Sequence, residues 1–153
     1  MSGRNGTIGV LDRETAENGR WALARAGYSI LVAREVRTSP AAAMESLRDT
    51  WTWPAWSPSI TAVESDDRHI REGTCGHVRV GGVQLPFRVT TCSSRRWEWR
   101  VAGIPATGHR VEAYAGDSER CRVGIEVPLA AIGYVPACKR ALDRFAALVE
   151  RDR

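Results

Sequence analysis

An alternation of apolar and polar residues between positions 73 and 127 is the feature that most constrains how this chain can fold. The alternation has a period of two, which is the period of side chains along a β-strand. It is interrupted by Gly81-Gly82, and two consecutive glycines supply the positive φ angles of a two-residue hairpin turn. Such a turn pairs Val80 with Val83 and places the apolar residues of both strands on one face.

The same period continues through three further segments, in which apolar residues alternate with arginine and glutamate. These segments are residues 97–101, 110–113 and 121–127. Strands of this kind are typical of an antiparallel sheet that has one face in water and one face against a core. We therefore predict that another part of the chain covers the apolar face of the sheet.

The C-terminal segment has the pattern that is needed to cover that face. After Pro128 the apolar residues recur every three or four positions, from Cys138 to Val149, and charged residues fall between them. This period predicts one amphipathic helix of about 15 residues that lies across the sheet. Pro136 suits the first turn of this helix.

The segments that precede the sheet predict one strand and two short helical elements. Residues 28–36 are rich in β-forming residues and make up the predicted first strand. Ser39-Pro40 then provides a cap and a first-turn proline for a short helix over residues 41–48. Three tryptophans at positions 51, 53 and 56, with Pro54 among them and Pro58 after them, predict a second short helix or a packed turn.

The length of 153 residues predicts one folded domain rather than two. Residues 1–26 are rich in glycine, asparagine, glutamate and arginine, with one small apolar cluster around Trp21 that suggests a short helix. We interpret this segment as an N-terminal extension that is partly disordered. Residues 27–153 form the predicted domain itself.

The charge pattern argues against a nucleic-acid surface. The formal net charge is +4, but the arginines are interleaved with acidic residues rather than gathered in one basic run. No apolar segment approaches the roughly 20 residues that a membrane helix needs, and the first residues lack the apolar core of a secretory signal. We therefore predict a cytoplasmic monomer or homodimer with no membrane span and no nucleic-acid partner.

No motif for a metal, a nucleotide or a covalent nucleophile occurs in the sequence. The four cysteines, at positions 75, 92, 121 and 138, have no Cys-x-x-Cys spacing and no adjoining histidine pattern. We therefore predict reduced thiols and no metal site. Gly-rich phosphate loops, His-Glu-x-x-His and Gly-x-Ser-x-Gly are also missing, which predicts a chain without a cofactor.

Four features of the chain follow one another in an order that is typical of one superfamily. They are Val36-Arg-Thr-Ser-Pro40 before an alanine-rich helix, Pro54-Ala-Trp56-Ser-Pro58 before Ile60, Gly73 at the start of a long strand, and the terminal helix. On these features the chain resembles the START-like helix-grip superfamily (SRPBCC), and within it the polyketide cyclase/dehydrase-like branch. The resemblance covers about residues 28–151.

The resemblance implies an α+β helix-grip fold, in which a curved antiparallel sheet of about six to seven strands wraps around a long C-terminal helix. Two short helices follow the first strand in this fold. Members of the superfamily hold a lipid, a hormone or a polycyclic molecule between sheet and helix, and they share no common set of catalytic residues. The resemblance thus implies binding of a hydrophobic, aromatic or polyketide-like molecule, and a cyclase or dehydratase that acts on it.

The alternation along the strands assigns the residues that line such a cavity. Trp97 and Trp99 have flat faces that can stack on an aromatic ring, although tryptophans on a sheet also serve as plain core residues. The terminal helix and the tryptophan-rich segment contribute the remaining apolar groups. The predicted ligand-binding residues are Val78, Leu85, Phe87, Val89, Thr91, Trp97, Trp99, Val111, Ile125, Leu142, Phe145 and Trp56.

Two polar residues are the candidates for chemistry in this cavity. His109 shares the inward parity of Val111 and has a side chain that ordinarily titrates near neutral pH, so we predict a general acid or base for proton transfer. A histidine beside Gly108 can equally be a structural residue. Arg34, on the first strand, can bind a carboxylate or enolate oxygen through its planar fork, or it can lie at the sheet edge in water.

Two other functions fit the same sequence. A carrier or sensor would hold a hydrophobic ligand without changing it. A partner-binding module of a stress or toxin system would use residues 51–56 as its contact surface and would expose their tryptophans.

Overall fold

The computed structural model describes residues 21–151, in which eight antiparallel strands form one sheet around a C-terminal helix. The strands are β1 (Trp21–Ala26), β2 (Ser29–Val36), β3 (Ile60–Ser65), β4 (Cys75–Val80), β5 (Val83–Cys92), β6 (Arg96–Val101), β7 (Ile104–Tyr114) and β8 (Asp117–Pro128). Their order in the sheet is β1-β2-β8-β7-β6-β5-β4-β3. The last six strands thus form a continuous meander, and its final strand pairs with β2 to join the N-terminal hairpin to the sheet.

Three helices accompany the sheet. They are α1 (Pro40–Arg48), α2 (Trp53–Trp56) and α3 (Val135–Glu150), with 3-10 turns at Thr50–Thr52 and Leu129–Tyr134. The predicted start of α1 is confirmed, because Ser39 Oγ accepts a hydrogen bond from the Ala42 amide at 3.2 Å and Pro40 follows in the first turn. The long terminal helix is also confirmed, and Pro136 lies in its first turn.

The hairpin register that the Gly-Gly turn predicts is confirmed. Gly81 and Gly82 have φ angles of 57° and 79°, the left-handed region that a two-residue loop requires. Val80 faces Val83 across this turn, and the pairing continues down the strands to Gly76 opposite Phe87. The loop length therefore fixes which residues of β4 and β5 lie on the inner face.

The sheet has one strand more than the upper bound of the prediction, and the extra strand is β1. Leu23 on β1 pairs with Val32 on β2 and packs against the core, so burial favours a strand where a short helix was predicted. The sheet therefore begins at Trp21, inside the segment that the sequence assigns to an extension of residues 1–26. Residues 1–20 of that predicted extension lie outside the described residues.

Alternation assigns the wrong environment to three positions. A register shift between Val89 and Thr91 reverses the parity of β5 beyond it, so Thr91 is exposed rather than turned into the core. Val83 keeps its inward parity but lies at a hairpin tip, where it is 56% exposed. Ala113, close to the β7–β8 turn, is exposed as well.

We expect Gly76→Ala to reduce the free energy of unfolding by about 1–3 kcal/mol, the usual cost of overpacking a core. A methyl group at Gly76 would overlap the Glu64 carbonyl oxygen and lie 2.8 Å from the Phe87 ring, and neither the β3 backbone nor a buried ring can move aside freely. Urea unfolding monitored by circular dichroism measures the loss.

Gly133→Ala is the matched control, because no atom lies within 4 Å of the place that its added methyl group would take and its φ is not positive. We expect this variant to unfold within about 0.5 kcal/mol of the wild type. A Gly76→Ala protein as stable as Gly133→Ala would contradict the tight β3–β4–β5 packing.

Candidate ligand-binding cavity

A cavity of about 310 Å³ lies between the inner face of the sheet, α2 and the start of α3. It exists because the apolar face of α3 is buried mainly along its later turns, where Leu142, Phe145 and Val149 fill the space under the sheet. The lining residues are Trp53, Trp56, Ser57, Ser59, Ile60, Val78, Val80, Leu85, Trp97, Trp99, Val101, Pro105, Ala106, Thr107, His109, Ile125, Pro128, Ala131, Tyr134 and Cys138.

Aromatic rings build one wall of the cavity. Trp97 stacks on Trp53, with ring centroids 5.3 Å apart and planes 8° from parallel, and it also stacks on His109 at 3.9 Å and 15°. Trp99 meets Trp53 edge to face at 5.3 Å. Offset stacks and edge-to-face contacts are the arrangements that the ring quadrupoles favour, so these rings hold one another in place.

The short α2 helix positions Trp53 and Trp56 in this wall. The Trp53 indole N–H donates to the Leu47 carbonyl oxygen at 2.9 Å, and that of Trp56 donates to Thr52 Oγ1 at 3.1 Å. Both rings are therefore buried with their polar atoms satisfied. Trp53 was missing from the predicted site, because a short segment interrupted by Pro54 gives no periodicity from which to predict the direction of its side chains.

A bulge between β6 and β7 introduces the polar group at the centre of the wall. The register shifts between Glu98 and Arg100, which places both Ala106 and Thr107 beside Trp99. Thr107 Oγ1 accepts a hydrogen bond from the Trp99 indole N–H at 3.3 Å and lies 3.3 Å from His109 Nε2. Thr107 shares the inward parity of His109, but the predicted strand begins at residue 110 and leaves it out. The residue that strict alternation cannot reveal is Ala106, since the bulge adds it to the wall.

His109 lines the cavity, but its predicted titration near neutral pH is wrong. Burial of the imidazole and the nearby positive charge of Arg96 lower the pKa of His109 to about 3. The ring is consequently neutral at pH 7 and cannot serve there as a cationic acid. A low pKa also makes the ring a weak base, so the acid or base role that the sequence suggests stays a prediction with little support from this environment.

Arg34, the second predicted catalytic residue, is not part of the cavity lining. Its Nη1 donates to Asp143 Oδ1 of α3 at 2.5 Å, and its side chain borders a separate depression formed with Glu35, Arg37 and Glu150. A carboxylate of the covering helix thus holds the Arg34 charge outside the cavity, and a catalytic role for Arg34 stays a prediction.

The opposite end of the cavity is polar but uncharged. The hydroxyls of Ser59 and Tyr134 are hydrogen-bonded at 2.5 Å and join the loop after α2 to the 3-10 turn before α3. Burial raises the pKa of the Tyr134 phenol, and it raises the pKa of the Cys138 thiol to about 12. Within the described chain, every side chain that lines the cavity is thus neutral at pH 7.

The predicted ligand-binding residues separate into three groups. Val78, Leu85, Trp97, Trp99, Ile125 and Trp56 line the cavity. A second group is buried in the core under the sheet and does not line it: Phe87, Val89, Val111, Leu142 and Phe145. Thr91 belongs to neither group, because it is exposed.

The tryptophan-rich segment does not expose the surface that a partner-binding module was predicted to use. Trp51 is 72% exposed, with the Arg68 guanidinium 3.7 Å above its ring, but Trp53 and Trp56 are buried. Of the three tryptophan rings that the predicted contact surface would expose, only that of Trp51 is exposed.

Two further properties concern the part of the chain that the structure describes. Across residues 21–151, none of the helices has both the length and the apolar character to cross a membrane. In the same range, no three histidine, cysteine, aspartate or glutamate side chains come together as a metal site would need. All four cysteines are free thiols.

The antiparallel sheet, the long terminal helix and the cavity between them form a helix-grip fold, which confirms the predicted fold class. No family model matches the sequence, and comparison with curated proteins gives no match either. Solved structures do match. A START superfamily protein from Mycobacterium smegmatis superposes with a TM-score of 0.63 at 10% identity, over 83% of this chain and 100% of that one.

Two further structures show the same fold. A solution structure from Thermobifida fusca superposes with a TM-score of 0.64 at 15% identity, over 81% of this chain and 94% of that one. The protein Ara h 8.0201 superposes with a TM-score of 0.57 at 11% identity, over 80% and 97% of the two chains. At such low identity these similarities establish the fold and leave function to the site itself.

We expect His109 to make the native protein sensitive to mild acid. Between its folded pKa of about 3 and its ordinary value of 6.5, the unfolded chain binds a proton that the native chain does not. The free energy of unfolding should therefore fall as the pH decreases from 6.5, by at most about 1.4 kcal/mol for each pH unit. Urea unfolding between pH 6.5 and about 5 measures this slope, above the range in which most carboxylates titrate.

His109→Asn removes the titrating group and should give a shallower slope than the wild type. His77→Asn, which removes an exposed histidine from β4, should keep the wild-type slope. Comparison of slopes rather than of absolute stabilities separates titration from any packing defect. Identical slopes for wild type and His109→Asn would contradict the low pKa.

Proposed function

We propose that this protein binds a small hydrophobic molecule with a flat, aromatic part in the cavity between the sheet and α3. The observation that carries the proposal is the cavity itself: about 310 Å³ of space bounded by stacked tryptophans and aliphatic side chains. Ligand sites in proteins are typically concave and largely apolar, with a few placed polar groups. This cavity has that composition.

The size and shape of the cavity favour a compact ligand over a long acyl chain. Its volume is near the lower end of the range of about 300–1,000 Å³ found for ligand pockets. The wall of Trp53, Trp97 and Trp99 is already fixed by ring–ring contacts, so a flat guest can pack against it with little loss of side-chain freedom. A fused-ring compound satisfies both conditions.

The fold supports the same proposal at a coarser level. START-like folds hold hydrophobic ligands between the sheet and the terminal helix, which is where this cavity lies. The neutral lining further favours binding without proton transfer, that is, a carrier or a sensor. A cytoplasmic location and a monomeric or homodimeric state remain part of the proposal.

Cyclisation or dehydration of a polyketide-like ligand is the catalytic form of this proposal. With His109 neutral and no charged lining residue described, such a reaction would rely on folding the substrate into a reactive shape against the aromatic wall. Incubation with polyketide intermediates, followed by mass spectrometry, distinguishes the two forms. We expect the ligand to be recovered unchanged, and an enzyme-dependent loss of water would instead establish the catalytic form.

We expect Ala106→Phe to weaken binding of the fluorescent apolar probe N-phenylnaphthylamine by at least about tenfold, or about 1.4 kcal/mol. Ala106 lines the cavity and is half-buried, so a phenyl ring at this position would occupy space that the probe needs. Titration of the purified protein with the probe, followed by the rise in probe fluorescence, gives the dissociation constant.

Ala113→Phe provides the matched control on the same strand. Ala113 is exposed and does not line the cavity, so this variant should bind the probe as the wild type does. Equal weakening in both variants would show that the probe binds elsewhere. Undiminished binding to Ala106→Phe would contradict the proposed site.

A further inference from the structure

Within the described chain, five connections at one end of the sheet contain no charged residue. They are residues 27–28, 57–59, 81–82, 102–103 and 129–134. The antiparallel order of the strands places all five at the same end. At the opposite end, residues 66–74 join β3 to β4, and five of these nine residues are charged. The two ends of the sheet therefore present different surfaces to their surroundings.

The uncharged end also exposes large apolar side chains. Six large hydrophobic side chains are exposed in the described chain, and five of them lie in or next to these connections: Tyr28, Val83, Ile104, Ile132 and Tyr134. We call these five residues the apolar rim. The sixth, Trp51, stacks with Arg68 of the charged loop at the opposite end. Exposed apolar side chains that cluster in this way mark an interaction surface, whereas scattered ones do not.

The apolar rim borders the mouth of the cavity. Pro105, Ala131 and Tyr134 line the cavity and are also exposed, so the cavity opens at this end of the sheet. Ile104 and Ile132 directly adjoin Pro105 and Ala131 in the chain but do not line the cavity themselves. A surface that covers the rim would therefore cover the mouth as well.

Exposed arginines accompany the apolar rim. Arg25 Nε donates to the Gly27 carbonyl oxygen at 3.2 Å, and Arg100 Nη1 donates to the Gly103 carbonyl oxygen at 3.0 Å. Both guanidinium groups thus lie beside turns of the uncharged end. Arg79, near the end of β4, is exposed as well. None of these three arginines forms an ion pair with a described residue, so their charge is available to an anionic partner.

The arrangement suits a lipid surface better than a peptide or a second copy of this chain. The rim residues come from four separate connections around an opening, so they do not form a continuous groove for a helix or an extended segment. Apolar side chains beside exposed arginines are typical of surfaces that enter the boundary of an anionic membrane. A symmetric contact between two copies would bring the arginines of both copies together, and like charges repel.

We propose that the apolar rim docks onto an anionic lipid surface, with the mouth of the cavity turned toward the lipid. The docking itself depends on the rim and the three arginines. Its consequence rests on the proposed function: a hydrophobic ligand can pass between the lipid and the cavity without crossing water.

Co-sedimentation with phospholipid vesicles tests the docking. The purified chain is mixed with vesicles of equal parts phosphatidylcholine and phosphatidylglycerol, and the bound fraction at increasing lipid concentration gives the partition coefficient. We expect binding to these vesicles, and binding weaker by at least about fivefold to phosphatidylcholine alone, since each arginine near an anionic surface contributes about that factor. Added salt should also weaken the binding. A chain that binds neither kind of vesicle would overturn the proposal.

The double variant Ile104→Asp/Ile132→Asp tests the rim. The two side chains are 68% and 57% exposed, so the fold should tolerate the change. We expect the partition coefficient for the anionic vesicles to fall by at least about tenfold, because carboxylates replace apolar groups that would enter the lipid. Wild-type vesicle binding by this variant would overturn the proposed docking surface.

The double variant Trp51→Asp/Ala113→Asp is the matched control. It adds the same two charges at exposed positions near the opposite end of the sheet. At physiological salt these charges should be screened from a lipid surface at the rim, so the partition coefficient should stay within about threefold of the wild type. Equal losses in the two double variants would assign vesicle binding to net charge and overturn the role of the rim.

The double variant Arg79→Gln/Arg100→Gln tests the contribution of the arginines. We expect it to reduce the preference for anionic over zwitterionic vesicles by at least about fivefold, because two of the charges that attract the anionic headgroups are lost. An undiminished preference would overturn the assignment of these arginines to the docking surface.

Two further measurements separate the docking from the proposed function and from self-association. Without vesicles, the rim variant should bind N-phenylnaphthylamine as the wild type does, because neither substituted residue lines the cavity. A chain that binds the probe but no vesicle would therefore overturn the docking and leave the proposed function intact. Sedimentation velocity gives the oligomeric state. A wild-type dimer that binds no vesicle and becomes monomeric in the rim variant would overturn lipid docking in favour of a contact between two copies.

Discussion

The packing of α3 against only part of an apolar sheet face is the interaction on which the rest of this structure depends. An antiparallel sheet with one apolar face must cover it, and the later turns of α3 do so with Leu142, Phe145 and Val149. Nearer the start of α3, the space under the sheet is bordered instead by tryptophans from α2 and from the sheet itself. Rigid rings cannot close the remaining volume as flexible side chains would, so a cavity persists.

The opposite face of the sheet fixes the geometry of the cavity wall. Glu126 alternates with the inward Ile125, and its carboxylate accepts hydrogen bonds from Arg96 at 2.9 and 2.6 Å and lies 3.5 Å from Arg110. Gly108 makes this possible, because a side chain at that position would overlap the Glu126 carboxylate. These contacts tie β6, β7 and β8 together behind Trp97 and His109, and they place the Arg96 charge where it lowers the pKa of His109.

Much of the fold could be predicted from the sequence because its signals are local. A two-residue glycine turn fixes a hairpin register, and a change of period from two to 3.6 marks the covering helix. The bulges in β5 and between β6 and β7 are not local in this sense, since they depend on how neighbouring strands twist around the helix. Thr91 was therefore placed inside wrongly, and Ala106 was missed. Thr107 was missed for a different reason, because the predicted strand begins only at residue 110. How much of the sheet face α3 covers is likewise a property of the assembled fold. It decides that Phe87 is a core residue whereas Trp99 lines the cavity.

The same limit explains why the candidate chemistry changes between sequence and structure. The inward parity of His109 correctly predicts that it lines the cavity. Parity carries no information about desolvation, however, and desolvation is the main cause of the lowered pKa of His109. The neutral ring is held by its neighbours: Nε2 lies 3.3 Å from the Thr107 hydroxyl, and the Trp97 backbone also hydrogen-bonds the ring. A residue that looks like an acid–base catalyst in the sequence thus becomes a fixed hydrogen-bonding group.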